Sequence, residues 1–334
     1  MEIAKDLLLI CNTNSAGSVF VKNYYLAHRP FAAFASVLEI GCPTGEFMGT
    51  NEFINQLRAP LLQWLTSNPT KPPQYVVLFL DIPSRMTNNY VVGGPVGSVS
   101  YAVHDGFPGI KPFVTHIHMG DTNACKAYID KLEFFGTNYS RGEVLVSANT
   151  GGYSNQNYYF DESGTSPAPG VVHPLEIARD AVVASGVPTN RCIYSGPTNA
   201  LIALASNVAA YASWGVYNNS DPNYATNGTI VFNGDSRWYI MSTIESFNGQ
   251  VQQGVPQGNH VKWFSSGAFG GTNYSNTPIG GITHVEEPWG GYNDAGPYFI
   301  HWSRGRSFAV CAWAGFREYY FLHFQAIGDP LVRR

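Results

Sequence analysis

What most constrains this chain is a repeated alternation in its first half. Short, nearly unbroken apolar runs, Asp6 to Cys11, Ser36 to Ile40, Tyr75 to Leu80 and Phe113 to His118, are separated by stretches with helical spacing. Strands that are apolar on both faces, linked by helices, predict a parallel sheet covered by helices on each side. The first helix has Ser18 as its expected N-cap and stops before Pro30. The second spans about 50–68 with Pro60 bending it, and the third covers Asp121 to Phe135 with Asp121 as its cap. Residues 84–112 are rich in Gly and Pro and read as a loop-rich insertion after the third strand.

The second half continues the pattern less clearly. It is expected to contain a strand at Glu143 to Ala148, a loop at 149–170, a helix at about 174–186, a strand at Arg191 to Ser195 and an Ala-rich helix from Thr198 to about Trp214. Two apolar runs follow, Thr229 to Asn233 and Val261 to Phe264, and then come a strand at Gly281 to Val285 and a helix at about 303–315. The runs at 229–233 and 261–264 break at Gly234-Asp235 and at Ser265-Ser266-Gly267. If both are strands of the main sheet, their polar turns border the crevice at the carboxyl ends of the strands.

Composition excludes several classes of function. The 334 residues are 44% hydrophobic and 13% charged with a formal net charge of −4, which describes a folded domain without a basic field for nucleic acid. No run approaches the ~20 apolar residues of a membrane span. The five cysteines, Cys11, Cys42, Cys125, Cys192 and Cys311, are too widely spaced for a disulfide framework or a CxxC knuckle, and no cofactor or metal is expected. A surface rich in Asn, Gly, Ser, Thr and Tyr fits an exported protein that meets a polymer, either protein or glycan.

Several segments carry a family resemblance. LLLICNTNSAGSVFVKNYYLAHR, FVTHIHMGDTNACKAYIDKLEFF, THVEEPW and the closing AIGDPLVRR, in that order, resemble a bacterial family of exported proteins that is itself similar to gingipain-type cysteine peptidases. The resemblance implies one caspase-like α/β domain over 1–334, a three-layer sandwich with a mostly parallel sheet. It also implies a secreted or cell-surface location with the export signal trimmed. Gingipain-like peptidases place a His after one strand and a Cys after the next. On the strands assigned above, Asp235 falls at the His position and Ser265 or Ser266 at the Cys position, so the dyad of a cysteine peptidase is not kept.

Two functions are compatible with these residues. One is a divergent hydrolase whose cleft holds Asp235, Ser265 and Ser266, with His284 as a base and Glu286 at the rim. The other is a catalytically silent protein that binds a polymer or assembles with copies of itself. His116 and His118 share a strand face as paired metal ligands can, against the plainer reading of polar residues at a strand edge. Glu286 and Glu287 could supply one carboxylate, although adjacent residues of an extended segment face opposite ways. Trp238, Trp263, Trp289, Trp302 and Trp313 could stack on sugars, but Trp more often packs in a core.

Overall fold

The computed structural model describes residues 6–29, 32, 34–87, 96–107, 109–135, 137–141, 144–148, 156–163, 172–215, 224–226, 228–252, 258–288, 291–317 and 323–334. Its centre is a sheet of ten strands among the described residues. These are β1 (Leu7–Asn12), β2 (Ser36–Ile40), β4 (Tyr75–Phe79), β7 (Phe113–Ile117), β10 (Asn157–Asp161), β11 (Cys192–Ser195), β13 (Val208–Ser213), β15 (Ile240–Thr243), β16 (Gly280–His284) and β17 (Phe324–Gly328). Their order is β11-β10-β13-β15-β16-β17-β7-β4-β1-β2. Strands β2, β1, β4 and β7 pair in parallel, as do β11, β10, β13, β15 and β16. The last strand, β17, runs antiparallel to β16 and reaches β7 through the Ile327–His116 pair, so the end of the chain joins the two halves.

Smaller sheets lie beside it: β3 (Phe47–Gly49) with β5 (Arg85–Thr87) and β6 (Val96–Ser98), β8 (Thr137–Arg141) with β9 (Val144–Ala148), and β12 (Leu204–Ser206) with β14 (Val231–Asn233). The helices are α1 (Ala16–His28), α2 (50–67), α3 (Val99–Asp105), α4 (Thr122–Phe135), α5 (Pro174–Ala184), α6 (His260–Trp263), α7 (Ala295–Ser303) and α8 (Phe308–Ala314). A side chain added at Gly280 would meet Phe308 of α8, while one added at Gly281 would meet Trp263 of α6. Successive strand residues face opposite sides, so α8 and α6 cover opposite faces and the molecule is a three-layer sandwich.

Local chemistry explains most of these elements. Ser15, not Ser18, caps α1 by accepting from the Ser18 N–H at 3.0 Å, whereas Asp121 caps α4 through the Ala124 N–H at 2.8 Å. The buried Asn12 side chain fastens the turn after β1, donating to the carbonyls of Cys42, Pro43 and Asp81 and accepting from the Cys42 N–H. At the other end of the chain, Asp329 is fully buried. It accepts from the Arg29 guanidinium at 3.0–3.1 Å and from the Tyr25 hydroxyl at 3.0 Å, and its own N–H donates to the Tyr128 hydroxyl. The motifs that carry the family resemblance at both termini are therefore fasteners of the core.

The structure corrects the sequence reading in several places. The Ala-rich stretch at 198–214 is not a helix but contains β12 and β13. Burial on both faces overrides the helix preference of Ala there, and small side chains admit Trp302, whose indole N–H donates to the Ala209 carbonyl at 3.0 Å. The run 261–264 falls largely within α6, and 231–233 forms β14 in the small sheet, so neither is a strand of the main sheet. The loop expected at 149–170 contains β10, and the helix expected at about 303–315 is α8, which starts only at Phe308, while α7 precedes it and ends before the Arg304-Gly305 turn. The insertion at 84–112 is not all loop, because it holds β5, β6 and α3; its residues 88–95 and 108 lie outside the described residues.

Candidate functional site

Chemistry in such a sheet is expected where parallel strands end side by side. Strands β13 and β15 are parallel neighbours, with Ser213 opposite Thr243. The turn after β13 begins Trp214-Gly215, and the turn after β15 runs Ile244-Glu245-Ser246-Phe247-Asn248. The two turns touch: a Cβ on Gly215, which has φ of 77°, would meet the Glu245 side chain at 2.4 Å. Only a residue without a side chain and tolerant of positive φ fits there.

Glu245 is the most perturbed acid of this edge. It is buried, and burial pushes its carboxyl up to about 8 against the opposing pull of hydrogen bonds from Thr243 and Gly258. Those bonds are 2.5 Å from the Thr243 hydroxyl and 2.9 Å from the Gly258 N–H. Asn248 braces the same turn, donating to the Thr243 carbonyl and hydroxyl and accepting from the His284 N–H at 2.7 Å.

Three buried histidines surround this turn. His284, the last residue of β16, has Nδ1 3.2 Å from the Glu245 carbonyl. His260 begins α6, and its N–H donates to the Asn248 carbonyl at 2.8 Å. His118, just beyond β7, has its ring 6.2 Å from that of His260. Burial lowers all three, His118 and His284 to about 4 and His260 to about 3, so each is neutral at pH 7. His116 is fully buried within β7 and lowered well below the ordinary value by the same cause. Among the described residues, the one group of three or more His, Cys, Asp or Glu ligand atoms within 4.8 Å of one another is His28, Asp130 and Glu133 on the outside of α1 and α4, and His116 and His118 are not in it.

The small β3-β5-β6 sheet packs against the same edge. Arg85 of β5 pairs with Glu286 at 2.5 Å, Glu46 accepts from the Val251 N–H at 3.0 Å, and the Val96 carbonyl lies 3.1 Å from His323 Nε2. Glu286 is thus held in an ion pair on the strand-end edge.

The remaining expected residues lie elsewhere. Asp235 follows β14, and its carbonyl accepts from Gln156 while its N–H donates to Asn207, which places it by the amino ends of β10 and β13. Ile240 and Gly280 are paired at the amino ends of β15 and β16, so Asp235 and His284 stand at opposite ends of the sheet. The four residue steps of β16 alone separate its ends by about 13 Å. The Asp235 carboxylate, half exposed, lies 3.4 Å from Arg237. The Ser265 hydroxyl donates to the Lys262 carbonyl at 2.8 Å, and the exposed Ser266 accepts the Tyr274 N–H on its carbonyl. The structure therefore joins His284 and Glu286 on one edge and leaves Asp235, Ser265 and Ser266 apart from them.

The five cysteines and four of the tryptophans are core residues. All five cysteines are buried and free, and burial raises every thiol, Cys192 to about 11 and Cys42 and Cys125 to about 12. Trp238, Trp263, Trp302 and Trp313 are buried, each with its indole N–H bonded, while Trp289 lies outside the described residues. Sequence reasoning missed Glu245, Asn248 and Gly215; the apolar run at 239–243 followed by a Gly-containing turn marks a strand end, but nothing in it singles out these residues.

No family model and no curated protein matches the chain. Solved structures do. The complex of the Porphyromonas gingivalis RgpB pro- and mature domains superposes with a TM-score of 0.57 at 13% identity, covering 98% of this chain and 79% of that one. The fold is similar to that of gingipain R. The crystal structure of the Arg-specific cysteine proteinase gingipain R gives a TM-score of 0.54 at 12% identity, over 98% of this chain and 78% of the other. The caspase-like sandwich that the sequence motifs imply is thus the fold observed, and identities this low carry the fold alone. No helix among the described residues is long and apolar enough to cross a membrane.

Proposed function

We propose that the chain is a catalytically silent protein on a gingipain-like scaffold, which works at the cell exterior by binding a polymeric partner. The observation that carries this reading is the content of the two adjoining strand-end turns. Cysteine peptidases of this fold need a His on one such turn and a thiolate on the next. Here the turns after β13 and β15 present Trp214-Gly215 and Glu245-Ser246. Glu245 fills the space over Gly215, and its carboxyl is neutral and fixed by two donors. Every cysteine is buried with its thiol raised, so no thiolate is available at pH 7.

A divergent hydrolase is the second reading, favoured by one observation. Ser246 is partly exposed at the edge where His284, whose Nε2 has no hydrogen-bond partner, also stands. The silent reading is preferred because His284 is buried and its Nδ1 is turned to the Glu245 carbonyl.

Incubating the folded protein with pools of denatured proteins and of glycans, and analysing both the bound and the recovered material by mass spectrometry, tests the proposal. The silent reading expects retained polymer with unchanged masses, the same for the Ser246→Ala variant. Cleaved products that vanish with Ser246→Ala would replace it with the hydrolase.

A further inference from the structure

The outward side of α1 and α4 carries a mixed nitrogen and oxygen donor set that the His116 and His118 pair does not supply. His28 is the last residue of α1, and Asp130 and Glu133 stand three apart on α4, a spacing that puts both carboxylates on one helix face. One ligand atom from each, an imidazole nitrogen and two carboxylate oxygens, lies within 4.8 Å of the other two. His28 Nδ1 and Glu133 Oε2 are 2.7 Å apart, and Glu133 is half exposed. Two donors on one tetrahedral Zn²⁺ stand about 3.3 Å apart, so a small rotation of Glu133 makes room for the ion.

Neighbouring side chains already hold two of these ligands in place. The His28 ring stacks on Tyr24, one turn earlier on α1, with ring centres 4.0 Å apart. The Tyr24 hydroxyl donates to Asp130 Oδ1, and Lys126 Nζ donates to Asp130 Oδ2 at 2.6 Å. Outer contacts of this kind orient the ligands of a metal site, and each Asp130 oxygen keeps a further lone pair. Lys126 is the cation with which a metal ion competes. With His28 neutral, as a ligand must be, two carboxylates against one ammonium leave the cluster net negative.

We propose that His28, Asp130 and Glu133 bind a divalent transition-metal ion, Zn²⁺ by the chemistry of the donors, with water in the fourth position. An imidazole among the carboxylates selects Zn²⁺ over Mg²⁺ and Ca²⁺, which take oxygen ligands. Because the ligands come from two helices that the unfolded chain does not bring together, the ion acts as a clasp between the end of α1 and α4 and stabilises the native state.

The test uses the full chain, stripped with a chelator and dialysed. Zn²⁺ is titrated in competition with a chromogenic chelator at pH 7.4, Mg²⁺ and Ca²⁺ by calorimetry, and thermal unfolding is recorded with and without Zn²⁺. One equivalent of Zn²⁺ should bind at micromolar concentration, and binding should weaken at least tenfold in His28→Asn and in Glu133→Gln. Saturating Zn²⁺ should raise the Tm of the parent, and the same Zn²⁺ concentration should leave that of either variant unchanged. No binding at micromolar Zn²⁺, or Mg²⁺ or Ca²⁺ binding as tightly as Zn²⁺, would overturn the assignment. So would an affinity and a Tm rise that persist in a variant with native circular dichroism, which would mean an adventitious ion only.

Discussion

Replacing Glu245 by Gln should remove a pH-dependent cost from the folded state. The Glu245 carboxyl is raised from 4.5 to about 8 by burial. Below pH 4.5 both the folded and the unfolded chain hold the proton, and the group costs nothing. Between 4.5 and about 8 the unfolded chain releases its proton while the native state retains it, so stability falls as pH rises. The slope is about 1.4 kcal/mol per pH unit, and by pH 7.5 the accumulated loss is on the order of 4 kcal/mol. Gln mimics the neutral acid: its oxygen can accept from Gly258 and its nitrogen can donate to the Thr243 hydroxyl oxygen, the two partners that Glu245 has now. Urea unfolding of both proteins from pH 5 to 7.5 reads the difference directly, because every other titrating group is shared. The stability of Glu245→Gln relative to the parent should climb by about 1.4 kcal/mol per unit across most of that range. A difference that stays flat would show that the carboxyl is ionised in the native state and would refute the reasoning.

The buried histidines act in the other direction. His118, His260 and His284 are lowered, so below pH 6.5 the unfolded chain takes up protons that the native state refuses, and unfolding monitored by fluorescence should become easier from pH 6.5 down to about 4. Asp329→Asn leaves the buried Arg29 charge without its partner and should cost about 3–5 kcal/mol in a denaturant titration. Asp235→Asn should change stability by less than ~1 kcal/mol and leave any binding intact, since that carboxylate is half exposed beside Arg237. Ellman's reagent should find none of the five thiols in the native protein and all five after denaturation.

The fold was legible where strands are long and apolar. Leu7–Asn12, Tyr75–Phe79 and Phe113–Ile117 are strands because burial on both faces leaves no other use for such runs. Reading failed where side chains were small or runs were short. In β13 the Ala residues that favour a helix are selected instead by Trp302 packing close above them, a constraint made by residues about 90 positions away. The four-residue run Val261 to Phe264 carries no periodicity that separates helix from strand. Together with the placing of 229–233 in the main sheet, this misassignment moved the candidate site, since the two directed attention to Asp235, Ser265 and Ser266 at one end of the sheet. The turns that adjoin at the other end follow β13 and β15, and a buried Glu at such a place leaves no trace in spacing or composition. His284 and Glu286 were placed at the carboxyl end of β16 because that strand itself was recognisable.

The most direct test of a silent strand-end edge is covalent labelling of the folded protein. A fluorophosphonate and an arginyl chloromethyl ketone, applied separately at pH 7.5 and followed by intact-mass and peptide mapping, probe for an activated serine and an activated cysteine. The account predicts an unmodified mass with both reagents. An adduct on Ser246, or on any of the five cysteines, that forms in the native protein and not after denaturation would contradict it.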